Sequence, residues 1–432
     1  MFNPTDTTNY NTATATYTVN TVNKIQATAP VLGNTTSTYD GHAHVVSMTS
    51  SGVGGTLQYR ASTNGGSSYG DWQATLPTIT NTTDASNGTL YVQAQVVGDS
   101  NHTDSSIATA TAHVGYASMK VTGTDYVGTY DGRAHSITVT VNKPTSGTVI
   151  YYRNGISVTE SDVLTNGTPK SAEELARAGI TTTNPTATTV AQSTRIYWCV
   201  VDTTKNYSTL TGNNVITINA KNINSSDMTI ALSQTSYTYD GNEHTPNTTV
   251  TDTTRTATLS SSDYTLSYKN STTNNDNRVS AGTVTVTATG KGNYTGTITT
   301  TYTIGKANVT LSSIPTGTQY VAKDGTNTFT AKSSVAGKWS ITSSNTTNVE
   351  ITAGNNQTNA SNNISYKGKT AVETATSITV AFEPTDKTNY NTPSSKSFNV
   401  YVTDIQSNVA NNSQILYVNG SNQEVLFTGI NM

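Results

Sequence analysis

Much of the chain alternates in steps of two residues. Leu90, Val92, Ala94 and Val96 alternate with Tyr91, Gln93 and Gln95, and Ala108, Ala110, Ala112 and Val114 alternate with Thr109, Thr111 and His113. A two-residue period puts one row of side chains against a core and the other in water, so each stretch is predicted to be a strand of a half-buried sheet. Val284, Val286 and Ala288 obey the same rule, as do Ile298, Tyr302 and Ile304 on one face and Phe398, Val400 and Val402 on another. Near the start, Ala13, Ala15, Tyr17 and Val19 alternate with Thr14, Thr16 and Thr18. Short alternating strands separated by Gly, Asn and Asp turns predict an all-β chain of β-sandwiches. One stretch breaks the period. Ser171-Ala172-Glu173-Glu174-Leu175-Ala176-Arg177-Ala178-Gly179 carries an N-cap, early acids, good helix formers and a terminal Gly, and is predicted to be a short helix inserted in a loop. The polar run Thr272 to Asn277 is expected to be loop.

The strands recur in blocks. Thr38-Tyr39-Asp40-Gly41-His42-Ala43-His44 returns as Thr129-Tyr130-Asp131-Gly132-Arg133-Ala134-His135 and as Thr238-Tyr239-Asp240-Gly241-Asn242-Glu243-His244, the tyrosines spaced by 91 and then 109 positions. A second marker, Asn followed by Tyr or His, stands at Asn9-Tyr10, Asn101-His102, Asn206-Tyr207, Asn293-Tyr294 and Asn389-Tyr390. Between them lies an aromatic followed by a cation, at Tyr59-Arg60, Tyr152-Arg153 and Tyr268-Lys269. A period of this length is one small domain, too long for a solenoid unit. The expected division is an incomplete module at residues 1–24, then modules at 25–116, 117–221, 222–306 and 307–404, and a tail at 405–432. The helix accounts for the extra length of the second full module. The fourth retains only Tyr320, Asp324 and Gly325 of the opening marker, with Trp339 and Ile341 on its expected central strand. The tail is expected to be a hairpin of Ile415-Leu416-Tyr417-Val418 and Val425-Leu426-Phe427 around Asn419-Gly420. Residues 2–12 nearly duplicate residues 382–392, so the start is expected to be the end of a further module, from a longer protein or completed by strand exchange with a neighbour.

Composition narrows the function. Only 33% of the 432 residues are hydrophobic and 11% charged, with a formal net charge of −3, against about a quarter charged in ordinary domains. Threonine fills the wet faces of the strands, where its β-branched side chain fits. A near-neutral chain presents no basic field for nucleic acid, so none is expected as partner. No stretch approaches the apolar length of a membrane span, and the start lacks the basic-then-apolar plan of a secretory signal. The lone Cys199 lies in the apolar run Ile196 to Val201 and is expected to be a buried, inert thiol.

The recurring polar residues are explained by turns. Asp-Gly is a tight-turn dipeptide, its Asp expected to accept backbone N–H groups while the preceding Tyr anchors the strand in the core. His42 and His44 lie two apart, a spacing that in a strand faces both one way, as a metal pair would need. Arg133 and Asn242 replace the first of them in the other copies, and no third ligand is evident, so no metal site is assigned. No clustered acids point to calcium. Asp99, Asp202 and Asp386 are expected to order the closing turns, and the turn aromatic is expected to act as a tyrosine corner before the last strand. Nucleophile elbows, metalloprotease helices and phosphate loops are absent from the sequence. Glu173 and Glu174 are adjacent on a helix and do not converge. No catalytic, cofactor-binding or metal-ligating residue is therefore assigned, and the chain is expected not to be an enzyme.

Together the Tyr-Asp-Gly openings, Gly98-Asp99-Ser100-Asn101-His102-Thr103-Asp104, Gly290-Lys291-Gly292-Asn293-Tyr294 and the Phe-x-Pro-Thr-Asp-x-Thr-Asn-Tyr-Asn-Thr closings resemble the tandem bacterial Ig-like repeats of large surface proteins. The resemblance covers most of the chain and is weakest in the fourth module. It implies immunoglobulin-like β-sandwich modules in an elongated array, extracellular on a bacterial cell surface or on a phage virion. The expected role is a non-enzymatic stalk or adhesin whose end loops contact a host-cell surface or glycan. Short linkers such as residues 305–309 suit such an array. Two alternatives are a virion structural protein (head fibre, decoration or tail component), and a carbohydrate-binding or hydrolase accessory domain for which Tyr69 and Tyr91 would be the aromatic platform. Homo-oligomers are expected only through the incomplete terminal strands.

Overall fold

A computed structural model describes residues 1–404. The expected hairpin at 415–427 lies outside the described residues. The chain divides into two compact units, Met1–Asn219 and one that begins at Ala220. Among the described residues, each holds two tandem immunoglobulin-like sandwiches.

All four sandwiches share one sheet plan. In the first, the order is Thr35–Thr38, Ala108–Gly115, Thr89–Gly98, Gly55–Ser62, and Val31–Gly33 pairs with Ser47–Ser50 in the smaller sheet. The second orders Tyr126–Thr129, Leu210–Asn219, Thr194–Asp202, Thr148–Asn154 and Ile180–Thr181, with Lys120–Thr124 and Thr138–Lys143 in its second sheet. The third orders Ser236–Thr238, Thr297–Gly305, Gly282–Gly290 and Tyr264–Asn270, with Met228–Leu232, Thr248–Asp252 and Ala257–Thr258 in the other. The fourth orders Thr318–Ala322, Lys396–Thr403, Thr376–Pro384 and Gly337–Ser343, with Leu311–Ser312, Thr326–Ser333, Ser361–Gly368 and Val349–Ala353 in the other. In each, a short early strand runs parallel to the last strand, while the remaining pairings of that sheet are antiparallel. Because that early strand ends at the Tyr-Asp-Gly turn, the opening marker sits where the last strand of the same sandwich finishes. Lys221–Asn222 pairs with Tyr294–Thr295, so pairing assigns Lys221 to the third sandwich, just ahead of the expected boundary.

The two-residue rule holds where the sandwich has one wet face. Leu90, Val92, Ala94 and Val96 are buried, as are Ala110, Ala112 and Val114, Val284, Val286 and Ala288, and Phe398, Val400 and Val402. It fails in Thr194–Asp202, where residues 198–202 are all buried. There Ile196, Trp198 and Val200 face the sandwich core, while Cys199 and Val201 face a second cluster with Tyr151, Val163, Leu175 and Ile180. The second cluster is roofed by the inserted segment, whose helix Ala172–Arg177 is capped by Ser171 and Glu174 in reciprocal hydrogen bonds. A strand covered on both sides reads as a continuous apolar run, and this one does.

Two expectations change. Trp339 and Ile341 lie on Gly337–Ser343, the outermost strand of its sheet rather than a central one. Trp339 is nevertheless fully buried, because residues 355–359 cover the edge: Trp339 N donates to Gln357 O at 2.8 Å and Nε1 to Asn359 O at 2.8 Å. The expected strand from Ala13 to Val19 forms no ladder among the described residues. Only Ala13 bridges, to Phe2, and Tyr17 and Val19 are exposed. A strand needs a neighbour for its N–H and C=O groups, and none is described beside it.

Trp339→Ala should destabilise the fourth sandwich by about 3–5 kcal/mol, read as an early transition in urea that leaves the first sandwich's signals unchanged. Burial pushes the Cys199 thiol up to about 12, with the Glu160 and Asp162 carboxylates adding to the shift. It should therefore resist a thiol-specific dye in the native chain and react at once in denaturant; fast native labelling would contradict the burial.

Candidate functional site

The residues that recur most regularly assemble a joint between sandwiches. Each closing turn lies beside its own sandwich's leading residue: Ile25 pairs with His102, Ala117 with Tyr207, Lys221 with Tyr294 and Ala307 with Tyr390, all parallel. The turn is thus held at the end where the chain enters the sandwich. Three of these turns, and the matching turn at Asn9-Tyr10, are ordered by an aspartate, because the chain reverses there and leaves N–H groups unpaired. Asp202 Oδ1 accepts Thr204 N at 2.9 Å, and its Oδ2 accepts Asn206 N at 2.8 Å and Tyr207 N at 3.0 Å. Asp386 Oδ1 accepts Thr388 N and Asn389 N at 3.1 and 3.0 Å, and Asp6 repeats that geometry with Thr8 and Asn9 at 3.1 and 3.2 Å. Asp99 accepts Asn101 N at 2.8 Å and contacts His102 Nδ1 at 2.7 Å. The third sandwich has no such acid and relies on Gly292 at φ +63° instead.

The asparagine of the turn reaches into the preceding sandwich. Asn206 is 5% exposed; its Oδ1 accepts Thr82 N at 3.1 Å and its Nδ2 donates to Asn81 Oδ1 at 3.2 Å. Thr82 Oγ1 donates to Lys205 O. In the other unit Asn389 Oδ1 accepts Ala281 N at 2.7 Å, while its Nδ2 is held by Asp386 Oδ2 at 2.8 Å. The aromatics complete the joint. Tyr207 stands edge-on to Tyr39 at 5.6 Å between centroids and 77°, and Tyr390 stands edge-on to Tyr239 at 5.3 Å and 83°. Such perpendicular pairs add to the burial of their faces. The tyrosine-corner role therefore changes: the ring packs on its own core's end and on the opening-marker tyrosine of the sandwich before it.

The opening marker does what turn chemistry requires, with one addition. Asp40 accepts His42 N at 2.8 Å, Asp131 accepts Arg133 N at 2.9 Å and Asp240 accepts Asn242 N at 2.8 Å. The other bond of the carboxylate goes to the histidine four residues on. His44 Nε2 lies 3.1 Å from Asp40 Oδ1 and His135 Nε2 lies 2.9 Å from Asp131 Oδ1. His244 lies 3.1 Å from Asp240 but off the hydrogen-bond axis. His135 also stacks on Tyr126 at 4.2 Å, and His244 on Tyr237 at 4.4 Å. The recurrence of His four places after Asp was the available signal for this pairing. His44 is thus engaged by Asp40, and His42 is exposed beside it. No group of three or more His, Cys, Asp or Glu side chains suited to a metal occurs among the described residues.

Tyr69, one of the expected platform residues, is engaged internally. The Arg60 guanidinium lies 4.5 Å from the Trp72 ring and 5.3 Å from the Tyr69 ring, and its Nε donates to Gln93 Oε1 at 2.8 Å. Among the described residues no helix is long and apolar enough to cross a membrane.

No family model matches the chain, and no curated protein does. Similar solved structures include Sidekick-1 immunoglobulin domains 1–5, at 12% identity and a TM-score of 0.24, covering 86% of this chain and 81% of that one. The N-terminal eight Ig domains of Down Syndrome Cell Adhesion Molecule match at 8% identity and 0.24, covering 89% and 50%. Three N-terminal domains of the bacteriophage RB49 Highly Immunogenic Outer Capsid protein match at 10% identity and 0.21, covering 67% and 99%.

Two measurements test this geometry. Asn206→Ala strands the buried Thr82 N–H and should cost about 1–3 kcal/mol, seen as lower stability of the first and second sandwiches with the third and fourth unchanged. Hydrogen bonds hold three opening-turn carboxyls below the usual range: the His42 N–H chiefly at Asp40, the His135 ring at Asp131 and the Asn242 N–H at Asp240. Folded values lower than the unfolded one, ~3.9, mean that this stabilisation is present above about pH 4 and is lost as pH falls through the folded values. Asp131→Asn should flatten the acid limb of the stability curve and leave neutral pH dependence unaltered.

Proposed function

We propose that the chain is a non-enzymatic array of Ig-like sandwiches displayed outside a bacterial cell or virion, serving as stalk or adhesin. The observation that supports this most is the joint, because two units build it independently from the same residue types. In each, an aspartate-ordered turn carries an asparagine onto a buried N–H of the neighbouring sandwich and a tyrosine onto the opening-marker tyrosine. A catalytic protein gains nothing from repeating such a contact; a spacer needs it, since a bare linker leaves adjacent domains free to pivot. The surface suits display as well, being rich in threonine and asparagine and poor in charge. Contacts with a cell or glycan would fall to the loops at sandwich ends, which tolerate variation.

Two experiments test the proposal. Antibody raised against the chain should label intact cells or particles of its source, and labelling confined to lysed material would overturn surface display. If the joint holds neighbours together, Asn206→Ala with Tyr207→Ala should speed chymotryptic cleavage after exposed Tyr116 in the linker by about tenfold. An unchanged rate would remove the mechanical role of the joint.

A further inference from the structure

The third sandwich contains a polar cluster that neither described joint uses. Where Ile25, Ala117 and Ala307 pair with the closing turns of the other sandwiches, this one has Lys221. Lys221 is 9% exposed, and its Nζ meets Asp252 Oδ1 at 2.9 Å, Thr254 Oγ1 at 2.9 Å and the Asp227 carboxylate. Asp252 is fully buried. Interior ions surrender hydration, so such a cluster stabilises a fold no better than well-packed apolar side chains of the same volume. Its presence in a chain otherwise frugal with charge points to chemistry.

The two oxygens of Asp252 differ sharply. Oδ1 accepts from Lys221, from Thr254 Oγ1 at 2.7 Å and from Arg255 N at 3.2 Å, whereas Oδ2 is buried without a hydrogen-bond partner. A buried orphan oxygen on a carboxylate is costly, and expelling it removes that cost. The nucleophile, the acyl carbon and a second acid for proton transfer are already in contact. Burial opposes the Lys221 charge, but Asp227 and Asp252 outweigh it and raise the ammonium, so the cluster starts as ions.

We propose that Lys221 and Asp252 condense into an intramolecular isopeptide bond, with Asp227 relaying the protons. The ammonium passes one proton to Asp227, and the amine attacks Asp252 Cγ. Nitrogen loses a second proton to Oδ2, Asp227 delivers its own there, and the Cγ–Oδ2 bond breaks with release of water. One C–N bond forms and one C–O bond is lost: ammonium plus carboxylate become amide plus water, with no oxidant or cofactor. Oδ1 remains as the amide carbonyl and keeps the Thr254 and Arg255 donors. The product clamps the leading strand of the sandwich to the end of Thr248–Asp252.

Mass spectrometry on the purified full chain decides this independently of surface display. The chain should weigh one water less than its sequence, and trypsin should leave residues 206–255 as one internally linked peptide, because an acylated Lys221 is no longer cleaved. A succinimide at Asp40-Gly41, Asp131-Gly132 or Asp240-Gly241 also loses water but leaves Lys221 cleavable. Lys221→Arg should restore the full mass, and Asp227→Ala should accumulate the unlinked chain. A native chain at full sequence mass, quantitative cleavage after Lys221, or water loss that persists in Lys221→Arg would overturn the proposal.

Discussion

A backbone N–H removed from water must find an acceptor, and at both described joints the acceptor is an asparagine carbonyl from the next sandwich. The asparagine is presented correctly only because an aspartate has already gathered the N–H groups of its turn. That turn is held in place by the strand that leads into the same sandwich. One local device therefore ties a turn to its own domain and that domain to its neighbour. Removing the aspartate would disorder the turn, and removing the asparagine would leave the turn intact but disengaged.

The scarcity of charge is consistent with this design. Several acids are used as acceptors for backbone N–H groups, where each pairs two or three donors within a few residues. Bonds of this kind are short-range and depend little on ionic strength, unlike the exposed pair of Arg177 and Glu173. The Lys221 cluster stands apart because two of its ions, Lys221 and Asp252, are buried, with half-buried Asp227 beside them.

The second sandwich shows how an insertion alters a strand without altering the sheet. Its added helices cover Cys199 and Val201 from outside, so a strand that elsewhere has a wet face here has none. The apolar run from Ile196 to Val201 and the capped helical stretch are two traces of the same event. Both were visible in the chain, but only packing relates them.

Periodicity, turn dipeptides and the repeat are local properties, so the sequence alone determined the strands, the Asp-ordered turns, the capped helix and a β-sandwich architecture. Each depends on residues within a few positions, where backbone sterics and hydrogen bonding act directly. The tertiary structure decided what those markers do. Thr82 and Asn206 are 124 residues apart and Ala281 and Asn389 are 108 apart, and nothing in either marker's own pattern says that it will meet the other kind. Likewise, Trp339 reads as a central strand because it is apolar, yet it lies on an outer strand sealed by residues from a later loop. Lys221 reads as an ordinary surface cation until folding sets it against two acids. Burial is a property of the assembled sandwich, and it is burial that turns an asparagine into a joint and a lysine into a candidate nucleophile.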